Sequence, residues 1–318
     1  MKIIQILKLS LFLSTLLFLA SCSNSQKLNI ASHVWPGYEF MFLARDLGLL
    51  NQDMIYLHET QSASETLELL KEGKVDGGAL TFDEVIRARN DGTDLVVVLV
   101  FDISAGADVI LAKPSIKKLG DLKDKKIAVE VGAVGSIMLD QALKKANLTE
   151  QDVKVVEASI DQHEKVWKEE IVDAVITYEP VSSKIINLDG QQIFSSQEAP
   201  NLIVDVLAIR PSALKNRNAI KHLIETHFKA KTHFDTNHQD SLYRMAPRME
   251  VQPHEVDHMF KGLYLPDYQN NLRLLSGKKP ELLISADLIS GILDINFAEN
   301  QNTEINQIID DRFLLSLD

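Results

Sequence analysis

Short apolar runs rich in β-branched residues alternate along this chain with amphipathic segments of helical spacing. The clearest run, residues 95–100, is continuously apolar, as is typical of a strand buried on both faces. After the polar segment 101–108, the apolar character returns at residues 109–112. This pattern predicts two strands joined by a short polar connection.

Asp102, Ser104 and Asp108 lie in that polar connection. Ligands of open α/β sheets collect beyond the carboxyl ends of strands, so these residues are candidates for a binding site. A loop in which Asp and Ser side chains cap local backbone groups explains the same residues without a ligand. The pattern leaves both interpretations open.

Strand and helix also alternate over the rest of the chain. Strands are predicted at residues 28–31, 54–58, 75–81, 127–131, 153–156, 174–177 and 202–209. Helices are predicted at residues 40–50, after Ser62, at residues 82–91 and 137–146, and over most of the chain after Pro211. This order argues for parallel sheets covered by helices. A short similarity between residues 75–81 and 172–177 favours two sheets over one.

Composition and charge limit the possible functions. With 45% hydrophobic and 25% charged residues, the 318-residue chain has an ordinary globular composition and is long enough for one large or two medium domains. Its formal net charge of -12 argues against a nucleic-acid partner and against an anionic membrane surface bound through bulk charge. No G-x-x-x-x-G-K-[ST] motif occurs, and we expect no nucleotide or other cofactor.

Residues 1–22 have the features of a secretory signal peptide. A basic start precedes an apolar core, residues 9–20, which is too short to span a membrane in the mature protein. The ending LASC resembles a bacterial lipobox, which predicts cleavage before Cys22 and attachment of lipid to it. Cys22 is the only cysteine, so no intrachain disulfide can form. Residues 23–26 would be a flexible tether, and we expect an extracytoplasmic protein anchored to a membrane by lipid.

Several motifs, taken in order, resemble the substrate-binding proteins of ABC importers, in the group that binds nitrate, sulfonates, taurine and thiamine precursors. The motifs are WPGY at 35–38, FLARDLGL at 42–49, GKVD at 73–76, the segment 102–108, residues 119–129, and VDAVITYEP at 172–180. The resemblance covers nearly the whole chain after the signal peptide. One departure is Glu169-Glu170-Ile171, where members of the family commonly have a glycine before the second Val-Asp.

The resemblance implies an α/β fold of two lobes, the periplasmic-binding-protein-like clamshell of type II, with two hinge crossings and a ligand enclosed between the lobes. The first lobe would comprise residues 27–107 and 205–318, and the second lobe residues 108–204. The resemblance further implies a monomer that is not an enzyme, holds no metal, and passes a small solute to ABC permease subunits in the membrane.

Aromatic side chains after the first strand are further site candidates. Trp35 and Tyr38 flank Pro36-Gly37, so they lie on a loop where large rings can cover a ligand, although core packing is a competing interpretation. Thr81 and Asp83 lie where the third strand meets a helix, and Thr81 either contacts a ligand or caps that helix.

The second lobe contributes candidates at two places. Gly135 and Ser136 come just before the helix predicted from residue 137, where backbone N–H groups suit an anionic or carbonyl oxygen; an N-cap by Ser136 needs no ligand. Tyr178 and Glu179 end a strand, because Pro180 forces a break there, and this places Glu179 near the predicted cleft.

The mouth of the predicted cleft is acidic. The carboxylates expected there are Asp83, Asp102, Asp108, Glu179 and Asp205. Unpaired carboxylates repel one another, and a ligand with an ammonium group or several N–H donors would relieve that repulsion. The sequence therefore predicts a small nitrogen-bearing organic solute, of the amine, aminosulfonate or pyrimidine type, rather than a bare inorganic anion.

Other functions remain open from the sequence. A solute sensor that signals to a membrane receptor needs the same fold. A zinc hydrolase is a weaker alternative, because His254, Glu255 and His258 match H-E-x-x-H without a third histidine. Pyrimidine synthases of similar fold carry a cysteine-rich motif, whereas this chain has Cys22 alone. Four further histidines share no helical face and are expected at the surface: His222, His227, His233 and His238.

Overall fold

The structure is a computed structural model that describes residues 27–295 and 307–317. The predicted signal peptide, its Cys22 and the tether at 23–26 lie outside the described residues. The described chain forms two β-sheets, each covered by helices. We call the part built on the first sheet the first lobe and the part built on the second sheet the second lobe.

The first sheet has six strands. They are β1 (Leu28–Ser32), β2 (Ile55–Glu59), β3 (Gly77–Thr81), β4 (Val96–Ser104), β10 (Val204–Ile209) and β11 (Leu263–Tyr264). Their order across the sheet is β11-β4-β10-β3-β1-β2. β1 is parallel to β2 and β3, whereas β10 is antiparallel to both β3 and β4. β3 and β10 are buried along their whole length, because helices cover both faces of the sheet.

The second sheet has five strands. They are β5 (Val109–Ala112), β6 (Lys126–Val129), β7 (Lys154–Glu157), β8 (Ala174–Thr177) and β9 (Gln191–Ser195). Their order is β7-β6-β8-β5-β9, with β6 parallel to β7 and β8, and β5 antiparallel to β8 and β9. The carboxyl ends of β6 and β8 therefore lie at the same edge of this sheet.

Helices follow most of the strands. The first lobe begins with α1 (Glu39–Asp46), α2 (Ala63–Lys71) and α3 (Phe82–Asn90), and the second lobe contains α4 (Val134–Lys145), α5 (Ile160–Lys168) and α6 (Val181–Ile186). The chain then continues through α7 (Arg217–Thr236), α8 (His238–Met249), α9 (Pro253–Met259), α10 (Tyr268–Leu275), α11 (Leu282–Leu293) and α12 (Arg312–Leu315). Of these later helices, α7 packs on α1 and α10 packs on β4. Over residues 27–295 and 307–317, no helix has both the length and the apolar character needed to cross a membrane.

The two connections between the sheets lie side by side. The Oγ atom of Ser196, after β9, accepts a hydrogen bond from the N–H of Gly106 at 2.7 Å and lies 2.7 Å from Oγ of Ser104, at the end of β4. The N–H of Ser104 also donates to the carbonyl of Ile203, just before β10, at 3.0 Å. These hydrogen bonds couple the two connections, so a change in one must move the other.

Two predicted boundaries are wrong. Residues 101–104 belong to β4 rather than to a loop, because β10 pairs with β4 as far as Ile103. Asp102 therefore lies within a strand, while Asp108 lies just before β5. In the second lobe, α4 begins at Val134 rather than at residue 137, so Gly135 and Ser136 lie in its first turn.

At Glu169-Glu170-Ile171, where the family commonly has a glycine, the backbone still makes the turn that a glycine would make. Glu170 has a φ of 55°, and Gly73, at the corresponding turn after α2, has a φ of 70°. Both values fall in the left-handed region, where a residue with a Cβ atom is strained by roughly 1 kcal/mol. The turn before Val172-Asp173 is therefore kept, with local backbone strain at Glu170.

A buried ion pair fixes α8 to the first sheet. Arg248 forms an ion pair with Glu39 of α1, and its guanidinium donates to the carbonyl of Ser32, at the end of β1, at 3.0 Å. The guanidinium carbon lies 3.5 Å from the ring centroid of Phe42. Burial raises the pKa of Glu39 to about 7, while Arg248 opposes that shift. This contact fixes the point at which the chain leaves β1.

We expect Arg248→Met to lower the free energy of unfolding by on the order of 3–5 kcal/mol, because it leaves the carboxylate of Glu39 buried without its partner. Urea unfolding followed by circular dichroism measures the change. Arg244→Met is the matched control, since Arg244 lies on the same helix in a solvent-exposed ion pair with Asp240 and should change little. Equal stability of the two variants would contradict the role given to Arg248.

Candidate functional site

The segment after β1 places ring side chains at the junction of the two lobes. Nε1 of Trp35 donates to Oδ2 of Asp102 at 3.0 Å, and the hydroxyl of Tyr38 donates to Oδ1 of Asp205. Trp35 and Tyr38 are both buried. The ring of His33 meets that of Tyr38 edge-on, with centroids 5.3 Å apart. One loop thus binds two aspartates of neighbouring strands.

Gly37 makes this close packing possible. A Cβ atom at this position would lie 1.7 Å from Oδ2 of Asp102 and 3.2 Å from Nε1 of Trp35. Any side chain would therefore displace the carboxylate that Trp35 binds. The glycine is required here for space.

Three aspartates meet beside these rings. Asp102 and Asp205 face each other across the antiparallel pair β4 and β10, and the N–H of Asp108 donates to Oγ of Ser104 at 3.3 Å. All three side chains are buried. One carboxylate oxygen of each has no hydrogen-bond partner among the described residues. A buried oxygen without a partner is costly, so these groups call for water or a ligand.

Burial dominates the electrostatics of this cluster. It raises the pKa of Asp102 and that of Asp108 to about 7 each. The pKa of Asp205 is raised well above its usual range, first by burial and then by the neighbouring charge of Asp102. Burial, with a smaller contribution from Arg248, lowers the pKa of His33 to about 3, so its imidazole is neutral. The site therefore contains acids that keep their protons to a higher pH than usual and a histidine that adds no positive charge.

The second lobe completes the enclosure with Tyr178, just after β8. Its ring centroid lies 5.3 Å from that of Trp35 and 5.9 Å from that of His33. A small cavity lies where the rings meet. Its lining residues are His33, Trp35, Tyr38, Thr81, Glu84, Asp108, Val134, Tyr178 and Asp205. The cavity has a volume of about 10 Å³, which is room for about one water molecule.

The structure brings together seven of the residues predicted from the sequence. Six of them line the cavity: Trp35, Tyr38, Thr81, Asp108, Tyr178 and Asp205. The seventh, Asp102, is bonded to Trp35 directly beside it. These residues come from both lobes: they lie after β1 and β8, near the ends of β3 and β4, just before β5 and near the start of β10.

The remaining candidates have partners within the protein, and none of them lines the cavity. Asp83 accepts from Thr81 at 2.7 Å and lies 3.6 Å from the guanidinium of Arg87. Glu179 accepts from the hydroxyl of Ser183 at 2.8 Å. Ser104 bonds to Ser196 in the paired connections, as described above. Each of these side chains has a sufficient structural role.

Gly135 and Ser136 also differ from their predicted roles. Ser136 accepts from the N–H of Gly132 at 3.1 Å and lies inside the first turn of α4, so it is not the N-cap. Gly135 lies against the backbone of Glu130, where a Cβ atom would come within 3.2 Å of the carbonyl oxygen. The residue of α4 that lines the cavity is Val134.

The sequence did not single out two buried glutamates, Glu84 and Glu130. Oε2 of Glu84 accepts from the N–H of Thr81 at 2.8 Å, and its Oε1 accepts from the N–H of Val134 at 3.3 Å. Glu130, after β6, accepts from Ser64 of the first lobe. The T-x-x-E spacing at residues 81–84 is a capping-box signal that could have identified Glu84. No comparable local pattern marks Glu130.

The H-E-x-x-H segment forms the start of α9. Glu255 accepts from the N–H of Gln252 at 2.8 Å, so it caps the helix, and His254 and His258 are exposed. Within residues 27–295 and 307–317, no group of three or more His, Cys, Asp or Glu side chains could hold a metal ion. Helix capping accounts for the glutamate of this motif.

The prediction that His227 lies at the surface is wrong. His227 is buried on the inner face of α7, with its ring centroid 5.6 Å from that of Phe40 and 5.3 Å from that of Phe101. Burial, with a smaller effect of Lys231, lowers its pKa to about 3. Both ring nitrogens of His227 lack a hydrogen-bond partner among the described residues, so its burial rests on ring packing alone.

Comparison with known proteins gives a family match and related folds. The family model described as NMT1/THI5 like matches residues 37–227. An aliphatic sulfonates-binding protein of Escherichia coli (strain K12) is 28% identical over 194 residues, which cover 60% of this chain and 61% of that protein. The aligned part of the chain thus spans less than two thirds of this relative.

Solved structures share the fold at low sequence identity. The alkanesulfonate-binding protein SsuA from Xanthomonas axonopodis pv. citri, bound to MOPS, has a TM-score of 0.72 at 18% identity, covering 90% of this chain and 98% of its own. The periplasmic nitrate-binding protein NrtA from Synechocystis PCC 6803 has a TM-score of 0.71 at 11% identity, covering 91% and 87%. These matches confirm the predicted α/β fold of two lobes and the predicted family resemblance.

We expect Asp102→Asn to stabilise the protein at high pH. A carboxyl whose pKa is raised in the folded state binds its proton more tightly there, so stability falls as the pH rises from about 4 to about 7 and stays low above that. Asparagine cannot ionise, and at about pH 8 the gain should be on the order of 1–2 kcal/mol, with little gain at about pH 5. Thermal unfolding at both pH values tests this. Exposed Asp53→Asn is the control; a loss of stability at high pH in Asp102→Asn would contradict the argument.

Proposed function

The chain belongs to the NMT1/THI5-like family, and we propose that it is the solute-binding component of an ABC importer that encloses a small nitrogen-bearing organic solute between its two lobes. The observation that supports this proposal is a buried cavity lined by both lobes. In it, side-chain oxygens have no hydrogen-bond partner among the described residues. Oδ2 of Asp108, Oδ2 of Asp205 and the hydroxyl of Tyr178 are such groups. A solute that donates several hydrogen bonds would satisfy them together.

The lining favours a solute with a cationic or strongly donating nitrogen. Carboxylates form their strongest hydrogen bonds with charged N–H donors. The faces of Trp35, Tyr38 and Tyr178 attract a cation by the electrostatic cation–π effect. His33 is neutral, so it does not oppose a positive charge. Amines, aminosulfonates and pyrimidines all present such a nitrogen.

The size of the cavity implies that the lobes separate to admit the solute. Room for about one water molecule is also room for a single ammonium group, but not for the carbon skeleton attached to it. The paired connections around Ser104 and Ser196 provide a hinge at which the lobes can open. The lobes would then open to admit the solute and close again to bury its nitrogen.

The relatives support a role in binding a small solute. The curated relative is named for binding aliphatic sulfonates, and the solved structures of similar fold are named for binding alkanesulfonate and nitrate. We propose that this protein works on the extracytoplasmic side as a monomer, is anchored through lipid on Cys22, and delivers its solute to ABC permease subunits. Binding and release by hinge movement require no catalytic step, which agrees with a non-enzymatic role.

A ligand screen tests the proposed solute class. We expect at least one amine, aminosulfonate or pyrimidine to raise the melting temperature and to bind in calorimetry, whereas nitrate and sulfate do not. Trp35→Ala should weaken that binding roughly tenfold or more, because it removes a ring face and frees Asp102. Tyr243→Ala, which removes an exposed tyrosine of α8, is the control. Tight binding of nitrate or sulfate alone would exclude the proposal.

The affinity for a cationic solute should fall as the pH is lowered from about 8 to about 6. Such a solute binds the ionised acids, and Asp102 and Asp108 have pKa values of about 7 in the closed form, so protons compete with the solute below neutrality. Glu84 and Asp205 add to this competition, since their pKa values are also raised, chiefly by burial. The loss should reach about tenfold per pH unit for each proton displaced.

Calorimetry in buffers of different ionisation enthalpy measures both the affinity and the number of protons released. Asp102→Asn should bind with a shallower pH dependence. A constant affinity over this range, with no proton release, would contradict the role of these acids.

A further inference from the structure

Two buried glutamates between the lobes each join a helix start of one lobe to a helix start of the other. Oε1 of Glu130 accepts from the N–H of Ser64 at 3.0 Å and from its hydroxyl at 2.6 Å, while Oε2 accepts from the N–H of Ile160 at 3.3 Å. Ser64 lies in the first turn of α2, in the first lobe, and Ile160 is the first residue of α5, in the second. One carboxylate thus occupies donors of both lobes.

Glu84, in the first lobe, also accepts hydrogen bonds from a helix start of each lobe. One oxygen accepts from Thr81, at the start of its own helix α3, and the other accepts from Val134, the first residue of α4 in the second lobe. Glu84 and Glu130 are only 1% and 5% exposed. Burial first, and then the charges of Asp83 and Glu130, raise the pKa of Glu84, which shows how close these acids lie.

Helix N-termini are natural binding places for anions. Their first N–H groups lack partners within the helix and carry the positive end of the helix dipole. A sulfonate, carboxylate or phosphate commonly binds there. Between the two lobes, the starts of α2, α3, α4 and α5 already donate to a side-chain carboxyl group of the chain itself. An anionic solute would have to displace those carboxyl groups to reach the same donors.

We propose that Glu84 and Glu130 are specificity-determining residues, because their carboxyl groups occupy the helix-start donors that an anionic group would need and so exclude solutes that carry one. This inference rests on the proposed function and narrows it. Of the nitrogen-bearing classes named above, amines and neutral nitrogen heterocycles fit the cleft, whereas aminosulfonates do not.

The interlobe geometry distinguishes this role from simple helix capping. A cap for α5 or α3 needs only a partner in its own lobe, yet both carboxylates also take a donor from the opposite lobe. The donors of Ser64 and Ile160 converge on one carboxylate, as they would on a bound anion. Glu130 therefore supplies, from within the chain, the bridge that an anionic ligand would otherwise provide. Both glutamates already accept hydrogen bonds from the protein. The oxygens of Asp108 and Asp205 that lack a partner are therefore the groups that face a solute.

A matched ligand series tests the proposal: ethylamine, taurine and ethanesulfonate share one carbon chain and differ in their charged groups. Calorimetry and competition binding use the full-length wild-type protein, Glu130→Ala, Glu84→Gln and the control Glu157→Ala, an exposed glutamate of the neighbouring strand β7. We expect wild type to bind ethylamine at least about tenfold more tightly than taurine, and to show no binding of ethanesulfonate. Glu130→Ala frees three donors, so it should bind taurine about tenfold more tightly than wild type does, while Glu157→Ala changes nothing.

Several results would overturn the inference. If wild type binds taurine or ethanesulfonate as tightly as ethylamine, the exclusion is refuted, while solute binding by the cleft stands. The same holds if folded Glu130→Ala and folded Glu84→Gln both fail to gain affinity for taurine. If Glu130→Ala does not fold, Glu130→Gln replaces it, because glutamine removes the charge and keeps an acceptor oxygen. A higher affinity of Glu130→Gln for taurine supports the inference, and an unchanged affinity refutes it. A gain for ethanesulfonate in Glu130→Ala without ethylamine binding in wild type would support the exclusion and refute the nitrogen-bearing solute.

Discussion

The pairing of Asp102 with Asp205 across two neighbouring strands is the interaction on which the site depends. Because β4 and β10 are adjacent and antiparallel, and β4 runs into one connection between the lobes while β10 follows directly from the other, their acids meet at the hinge. Trp35 and Tyr38 bind one oxygen of each aspartate and leave the other without a partner among the described residues. Gly37 provides the space for this contact. The loop after β1 is therefore shaped by the acids that it covers.

Burying acids together opposes folding, and the rest of the structure must offset that cost. Strands of both sheets are packed between helices and bury large apolar side chains around the cluster. Arg248 holds the end of β1 through Ser32, so the loop that follows starts from a fixed point. Site and scaffold are thus linked, since the packing of the first lobe offsets the cost of burying acids whose unpartnered oxygens a donor-rich solute would satisfy.

The same fold can serve solutes of opposite charge, because the lobes supply only the enclosure and the side chains at their junction decide the chemistry. Structures of similar fold are named for binding sulfonate or nitrate, both of which are anions. In this chain, helix starts of both lobes donate to Glu84 and Glu130, and the cavity is lined by further acids. This arrangement is the reason for proposing a nitrogen base as the solute.

The sequence by itself determined the alternation of strands and helices and most of the cavity lining, because these depend on local periodicity and on residues next to strand ends, whereas the two-lobed fold followed from the resemblance of its motifs to a family. It placed Trp35, Tyr38 and Asp108 at strand ends from that pattern alone. Only the tertiary structure decided which helix starts oppose one another, since Ser64 and Glu130 are 66 residues apart and meet through the packing of the lobes. The pairing of β10 likewise drew Asp102 into a strand, and the packing of α7 buried His227. Local patterns encode the element and its buried face; contacts between distant elements depend on how the lobes dock, which no local pattern records.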